Sequence, residues 1–463
     1  MENREPGNSR EEKRAALLVA TFAAFLTPFM GAALNVALPS IGNDFGSDAI
    51  LLNLVATVYL LATAMFLLPF GRMGDIYGRK RIFTMGIIVF TASSLLCAMA
   101  PSMTWLIAFR VLQGIGSAMI FGTGVAILTS VFPPGERGRA LGINVAAVYI
   151  GLSAGPFAGG LLTQYLGWRS IFWVLIPIGI AAIVLLRLKI KGEWAESRGE
   201  RFDWRGTLFY TVSLLFIMSG FNWLPEWKGF VAMGAGLALL AVFVTWELRL
   251  RFPLFEMRLF RRNRVFAFSN LAALINYSAT FAVSFLMSLY LQYVKGFDPR
   301  DAGLVMVVQP LIMAVFSPVT GRLSDRIQPQ VIASAGMAFS TLGLVFLIFL
   351  EPSTSVWYIL MDLALLGIGF ALFSSPNTNA IMSSVERRYY GVASGSVGTM
   401  RMIGQMLSMG IVLLLFSMLI GKVEITAETA GGFLRSMKIA FTIFSIFCFL
   451  GIFASLARGK LVR

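Results

Sequence analysis

Residues 71–81 read GRMGDIYGRKR and lie between two apolar runs, 50–70 and 82–100. Four of the eleven are basic, three are glycine and one is Asp75. Glycine adopts positive φ without a steric cost, so the stretch reads as a tight turn between two helices. A basic turn between two spans belongs on the cytoplasmic side of a membrane. Any positive-inside hairpin accounts for the Arg and Lys, but not for an Asp held between Gly74 and Gly78.

The chain around this turn has 463 residues, 57% hydrophobic and 13% charged. Soluble domains carry about a quarter charged residues, so the composition is that of a membrane protein. Apolar runs of about twenty residues select spanning helices over the alternating strands of a barrel. Spans are expected near 15–38, 50–70, 82–100, 104–131, 138–163, 170–188, 206–222 and 230–247, then near 265–291, 303–320, 331–350, 356–375, 391–419 and 433–456. Fourteen is an even number, which puts both termini on the cytoplasmic face of the cell membrane. The first run is too long for a signal-peptide core and reads as a retained helix.

The net charge of +15 does not call for nucleic acid. By this alternation 29 of the 38 Lys and Arg fall inside, seven outside, and Arg110 and Arg401 within spans. That bias is the positive-inside rule. With no histidine there is no histidine proton relay. Cys97 and Cys448 sit in separate apolar runs, and neither a metal site nor a cofactor is expected. No G-x-x-x-x-G-K-[ST] loop is present, so direct ATP drive is not expected.

The chain also repeats itself. GRMGD at Gly71 returns as GRLSD at Gly321, WLIAFR at 105–110 as WYILMD at 357–362, and Gly151 as Gly404, at offsets of 250, 252 and 253. Two six-helix halves with two helices inserted between them are expected from this repeat. The expected division is a tail at 1–14, a first half at 15–190, a linker with two extra helices at 191–264, a second half at 265–456 and a tail at 457–463. The segment RLRFPLFEMRLFRRNR before the second half mixes Phe and Leu with six arginines, the composition of an interfacial amphipathic segment.

Span four reads L-x-x-x-R-x-x-Q-G-x-G-S-A from Leu106, with Arg110, Gln113, Ser117 and Gly124 on one helical face. A charge inside a span is a functional candidate by default. Span five has Gly151, Gly155 and Gly159 at every fourth position, baring one face for close packing, and Pro156 to bend the helix. Ser394, Gly398, Arg401, Gln405 and Ser408 form a polar stripe on span thirteen, and Asn270, Tyr277, Ser284 and Ser288 another on span nine. These stripes either line a cavity or glue helices together.

The 71–81 turn closely resembles the signature loop of the major facilitator superfamily, and span four resembles that family's fourth-helix motif at every marked position. Span five resembles its antiporter motif, which is typical of exporters. NVALPSI, FPPGERGRALG, FDWRG, PLFEMRLF, YLQYVKGFDPRDAG and GVASGSVGTMRMIGQ extend the resemblance to the fourteen-span drug:proton antiporter branch. That branch commonly has an acidic residue and a Thr in span one, where this chain has Met30 and Ala32. The resemblance implies an all-α, monomeric transporter exporting small lipophilic or amphipathic compounds against protons by alternating access. No enzyme activity is expected, and the expected partners are the substrate, protons and the bilayer. Arg110, Asp362 and Arg401 are expected to couple. Gly71, Asp75, Gly78 and Arg79 are expected to latch the two halves, with a helix N-terminus of the second half facing Asp75. Gln113, Tyr149, Tyr277, Gln309 and Gln405 are expected to face the cavity. Asp362 is the carboxylate placed well inside a span, able to alternate between pairing with Arg110 or Arg401 and taking up a proton. The alternatives are a dedicated exporter of one endogenous metabolite and a transport-inactive membrane sensor or assembly partner.

Overall fold

The structure, a computed structural model, describes residues 10–132, 134–190, 192–386, 390–421 and 430–459. The two chain ends, 1–9 and 460–463, lie outside the described residues, as does the side chain of Ser394. The described residues are all-α, with no strand among them. The first half comprises α1 (Arg10–Phe45), α2 (Ala49–Tyr77), α3 (Arg79–Ala98), α4 (Met103–Val131), α5 (Pro134–Leu166) and α6 (Ser170–Lys189). An inserted hairpin, α7 (Trp204–Trp223) and α8 (Trp227–Glu247), and a short α9 (Arg258–Arg262) follow.

In the second half the first span is broken into α10 (Arg264–Thr280), α11 (Ala282–Leu289) and a π turn, Tyr290–Val294. The next is broken into α12 (Pro299–Met306) and α13 (Val308–Arg326). Then come α14 (Pro329–Ile348), α15 (Val356–Ser383), α16 (Tyr390–Leu419) and α17 (Ala430–Ala457). Thirteen helices among the described residues are long and apolar enough to cross a membrane. The helix expected at 206–222 forms as α7 but is not among the thirteen, because Thr207, Thr211, Ser213, Ser219 and Asn222 dilute it. The helix α1 takes in residues 10–14 of the expected tail, since Arg, Glu and Lys are good helix formers.

The expected turn at 71–81 is a single residue. Gly71 and Gly74 stay inside α2, and only Gly78, at φ 118°, breaks the helix before Arg79 starts α3. The other two glycines serve packing: a Cβ on Gly74 would sit 2.6 Å from the Thr123 side chain of α4.

The repeat is written into the helix ends as well as the motifs. Asp48 caps α2 by accepting from the Leu51 N–H at 2.8 Å, and 250 residues later Asp298 caps α12 by accepting from Asp301 N–H at 2.7 Å. Such a cap contributes about 1 kcal/mol. In the first half α4 packs on α2 and α3, α6 on α3, and α5 on α1; in the second, α15 packs on α13 and α14, α17 on α14, and α16 on α10. The halves meet along two seams, α2 against α16 and α5 against α12 and α13. The inserted α7 lies across the first seam, where the Tyr210 hydroxyl donates to Ala64 O of α2 and the Phe221 ring packs on Gly410 of α16.

Candidate functional site

Tight backbone approach sets the seams. On α5, a Cβ at Gly151 would fall 2.6 Å from Phe25 O, one at Gly155 2.5 Å from Ala32 Cβ, and one at Gly159 2.6 Å from Ala33 Cα. The glycine face is thus spent on α1, inside the first half. The opposite face meets the second half: a Cβ on Gly303 of α12 would sit 2.2 Å from Pro156 O. On the other seam the Asn53 amide donates to Met409 O at 3.4 Å. Gly303 stands 250 residues after Asn53 and Met409 stands 253 after Pro156, so the two contacts are one duplicated contact.

Further inter-half bonds run along the stretch of α1 that leads up to Gly46, where α1 turns into α2. Ser288 Oγ donates to Asn35 O at 2.5 Å, and Gln292 Nε2 to Val36 O at 2.9 Å. At mid-length the halves face each other with aromatic and polar side chains. The Arg401 guanidinium lies over the Phe121 ring of α4, 5.3 Å from its centroid, and within electrostatic reach of Tyr59 and Tyr277. Tyr149 donates to Ser374 Oγ at 3.4 Å across the second seam, and Tyr277 meets Phe370 edge-on at 5.7 Å. Arg401, Tyr149 and Tyr277 are therefore brought together, and Tyr59, Phe121, Phe370 and Ser374 join them. Gln405 and Gln309 are half-buried on α16 and α13.

Arg110 adjoins this cluster through Tyr59, on its first-half side. It is 1% exposed, inside the first half, so it does not reach the surface. Its Nε donates to Val55 O at 3.1 Å, Nη1 donates to Gln113 Oε1, and the guanidinium stacks on Tyr59 at 4.2 Å. Gln113 passes the chain on to Ser94 Oγ at 2.8 Å. A buried cation satisfied by neutral oxygens and a ring face is well solvated within the protein. Asp362, 3% exposed on α15, lies beside Gly343 of α14 within the second half, and among the described residues neither of its oxygens has a hydrogen-bond partner. Neither Arg110 nor Arg401 forms a described ion pair with it.

Asp75 and Arg79 do meet: Arg79 Nε and Nη2 each lie 2.8 Å from Asp75 Oδ1. The expected facing helix N-terminus of the second half is not among Asp75's described partners. The segment after α6 is there instead, with Arg79 paired to Glu196 at 2.9 Å, Arg72 to Glu200, and Ser197 N–H donating to Asp75 O. On the polar stripes the interhelical role is visible at Asn270, whose Oδ1 accepts from Ser396, and at Ser408, which accepts from Ala282 N–H.

Sequence reasoning missed Tyr59, Phe121, Phe370 and Ser374 of the mid-length cluster, and Arg458 outside it. Tyr59 had a signal, since it stands 250 residues before the cavity candidate Gln309. Arg458, just past α17, had none. It is buried and tied to Ser455 of α17, Ser269 of α10 and Asn377 of α15, and burial pulls its guanidinium down to about 10.

Comparison with known proteins agrees with this architecture. Residues 20–409 match the family model described as Major Facilitator Superfamily. The chain is 33% identical to the riboflavin transporter RibZ of Clostridioides difficile, over 84% of this chain and 85% of that protein. It is 34% identical to the multidrug resistance protein Stp of Mycobacterium tuberculosis, over 84% and 73%. A bacterial homolog of the human lysosomal transporter Spinster, solved inward-facing and unoccupied, superposes with a TM-score of 0.68 at 16% identity, covering 97% of this chain and 98% of that one. A multi-pass, all-helical transporter built on two six-helix halves and an inserted pair, this chain belongs to the Major Facilitator Superfamily.

Proposed function

We propose that the protein exports small lipophilic or amphipathic compounds, coupled to protons, by alternating access across the plasma membrane. The observation that carries this reading is the mid-length cluster of Tyr59, Phe121, Tyr149, Tyr277, Phe370 and Arg401, which both halves supply. Aromatic faces offer large apolar area with few rotamers to freeze, and one cation adds polarity. No carboxylate belongs to this cluster, and Met30, at the position where relatives carry an acid, is fully buried. The substrates favoured are therefore flat neutral or anionic compounds rather than cations.

Coupling is assigned to Asp362, a carboxyl in an apolar setting with no partner to hold its charge. Arg110 and Arg401 serve as fixed cations on either side of the cycle. Asp75 and Arg79 act as the latch, engaged by the segment after α6 in the present shape. The inter-half contacts along α1 toward Gly46, with the Gly303–Pro156 approach, support a state closed at that end. With both termini cytoplasmic, that state faces inward. The chain acts as a monomer whose halves divide near residues 190 and 265. A second reading, transport of one metabolite, is favoured by the name of the riboflavin transporter that is 33% identical.

The test is a compound-uptake screen in energised inverted vesicles with and without a protonophore. Accumulation that collapses with the protonophore is expected. Absence of flux for every compound, with the fold retained, overturns the reading.

A further inference from the structure

Two sequence motifs, FDWRG at 202–206 and PLFEMRLF at 253–260, have no place in the transport cycle described above. The structure brings them together at the base of the inserted hairpin. Glu247, the last residue of α8, is 1% exposed. One of its oxygens, Oε2, accepts from the Phe255 N–H at 2.9 Å, so it fastens the returning chain of the second motif. The other, Oε1, has no hydrogen-bond donor among the described residues. It points at Asp203 of the first motif: a methyl placed on Gly206 would lie 2.1 Å from Asp203 Oδ2 and 2.7 Å from Glu247 Oε1. The two carboxyl groups converge on one spot, and the glycine of FDWRG is what leaves room for them. Asp203 Oδ2 accepts from the Trp246 indole N–H at 3.0 Å.

Two carboxyl groups converging on one spot, one of them buried, disfavour ionisation of both at once. The charged groups around them do not resolve this. Arg205 lies over the Trp246 ring, 5.9 Å from its centroid, and Arg258 donates to the carbonyls of Leu248 and Leu250. Arg201, Arg249, Arg251 and Glu256 lie on the adjoining turns. Leu67, Leu68, Met402 and Met406 of α2 and α16 belong to the same apolar cluster as Phe255, and Arg72 of α2 is paired with Glu200. No described ion pair includes Asp203 or Glu247.

We propose that Asp203 and Glu247 together form a proton-binding site, in which one proton on Glu247 Oε1 is donated to Asp203. The proton closes the joint between the two motifs. Through Glu247 it also fixes Phe255, whose ring meets Phe260 and which belongs to the apolar cluster of Tyr210, Leu214, Phe243 and Met406 beside the α2–α16 seam. Loss of the proton leaves two anions in contact and frees the returning chain that leads into the second half.

The experiment uses the full chain, purified in detergent, in an Asp362→Asn background that removes the other buried lone carboxyl. Infrared difference spectra are recorded as pH is raised from about 5 to 8, with thermal unfolding followed in parallel. A protonated-carboxyl band is expected at neutral pH, and it should be absent from Glu247→Gln. That variant keeps the shape, because its amide donates to Asp203 and accepts from Phe255. Its unfolding midpoint should lose the alkaline fall shown by the parent. Asp203→Asn supplies an independent removal of the shared proton and should flatten the same profile. A band and a pH profile that persist unchanged in either variant overturn the proposal. So does a band lost when sodium replaces choline at constant pH, since that assigns the gap to a metal cation.

Discussion

Gly303→Ala tests the seam at its tightest point. Its added methyl would lie 2.2 Å from Pro156 O, whereas ordinary contacts of this kind begin at 3.4 Å. The two backbones must therefore part by about an ångström at that point. Overpacking of this size costs about 1–3 kcal/mol. If transport alternates between a state closed near Gly46 and one open there, the cost falls on the closed state alone. The ratio of states then shifts about 5- to 150-fold toward the open one. The assay is modification of a cysteine placed at Val36, fully buried beside Gln292, by a membrane-impermeant maleimide. Both native cysteines are buried, which keeps the background low. The control is Gly155→Ala, whose methyl would meet Ala32 Cβ at 2.5 Å within the first half. It should lower stability without raising the labelling rate. Equal labelling of the parent and Gly303→Ala, or an equal rise in both variants, would refute the seam as the moving contact.

Asp362→Asn should abolish proton-driven accumulation while retaining substrate binding and passive exchange; a variant that still concentrates substrate with normal pH dependence removes Asp362 from coupling. Asp75→Asn should slow turnover with substrate affinity intact and a stability change of about 1 kcal/mol or less, because its pair with Arg79 is partly solvated. Turnover and cysteine accessibility both equal to the parent would end that assignment. Cysteines at Ser197 and Asn263 should react only from the cytoplasmic side and one at Gly46 only from outside. Labelling of Asn263 from outside would show that α7 and α8 do not both cross.

Much of this architecture is legible in the chain because hydrophobic length, basic turns and a repeat of about 250 residues are all linear properties. The repeat even predicts the paired contacts Asn53–Met409 and Pro156–Gly303, once one of them is known. Side-chain partners were less legible. That Arg110 looks inward to Val55 and Tyr59 rather than across the seam depends on helix rotation, which a motif does not encode. The glycines of GRMGDIYGRKR illustrate the same limit. Composition marks all three as turn formers, yet only Gly78 turns, and Gly74 is small because Thr123 leaves it no room. Arg458 escaped notice because a basic residue at the end of a span looks like any positive-inside charge until its three neutral partners are seen.

The inserted hairpin is fastened to both sides of the seam it crosses. Tyr210 bonds to α2, while Phe221 presses on α16 and Leu224 O accepts from Ser417 of α16. Any rotation of one half against the other must shear one of these attachments or bend the pair. In the alternating-access cycle proposed above, the hairpin would be a leaf spring laid along a hinge line: its stiffness would resist both directions of travel, and its rest shape would set where the pair of halves settles when nothing is bound.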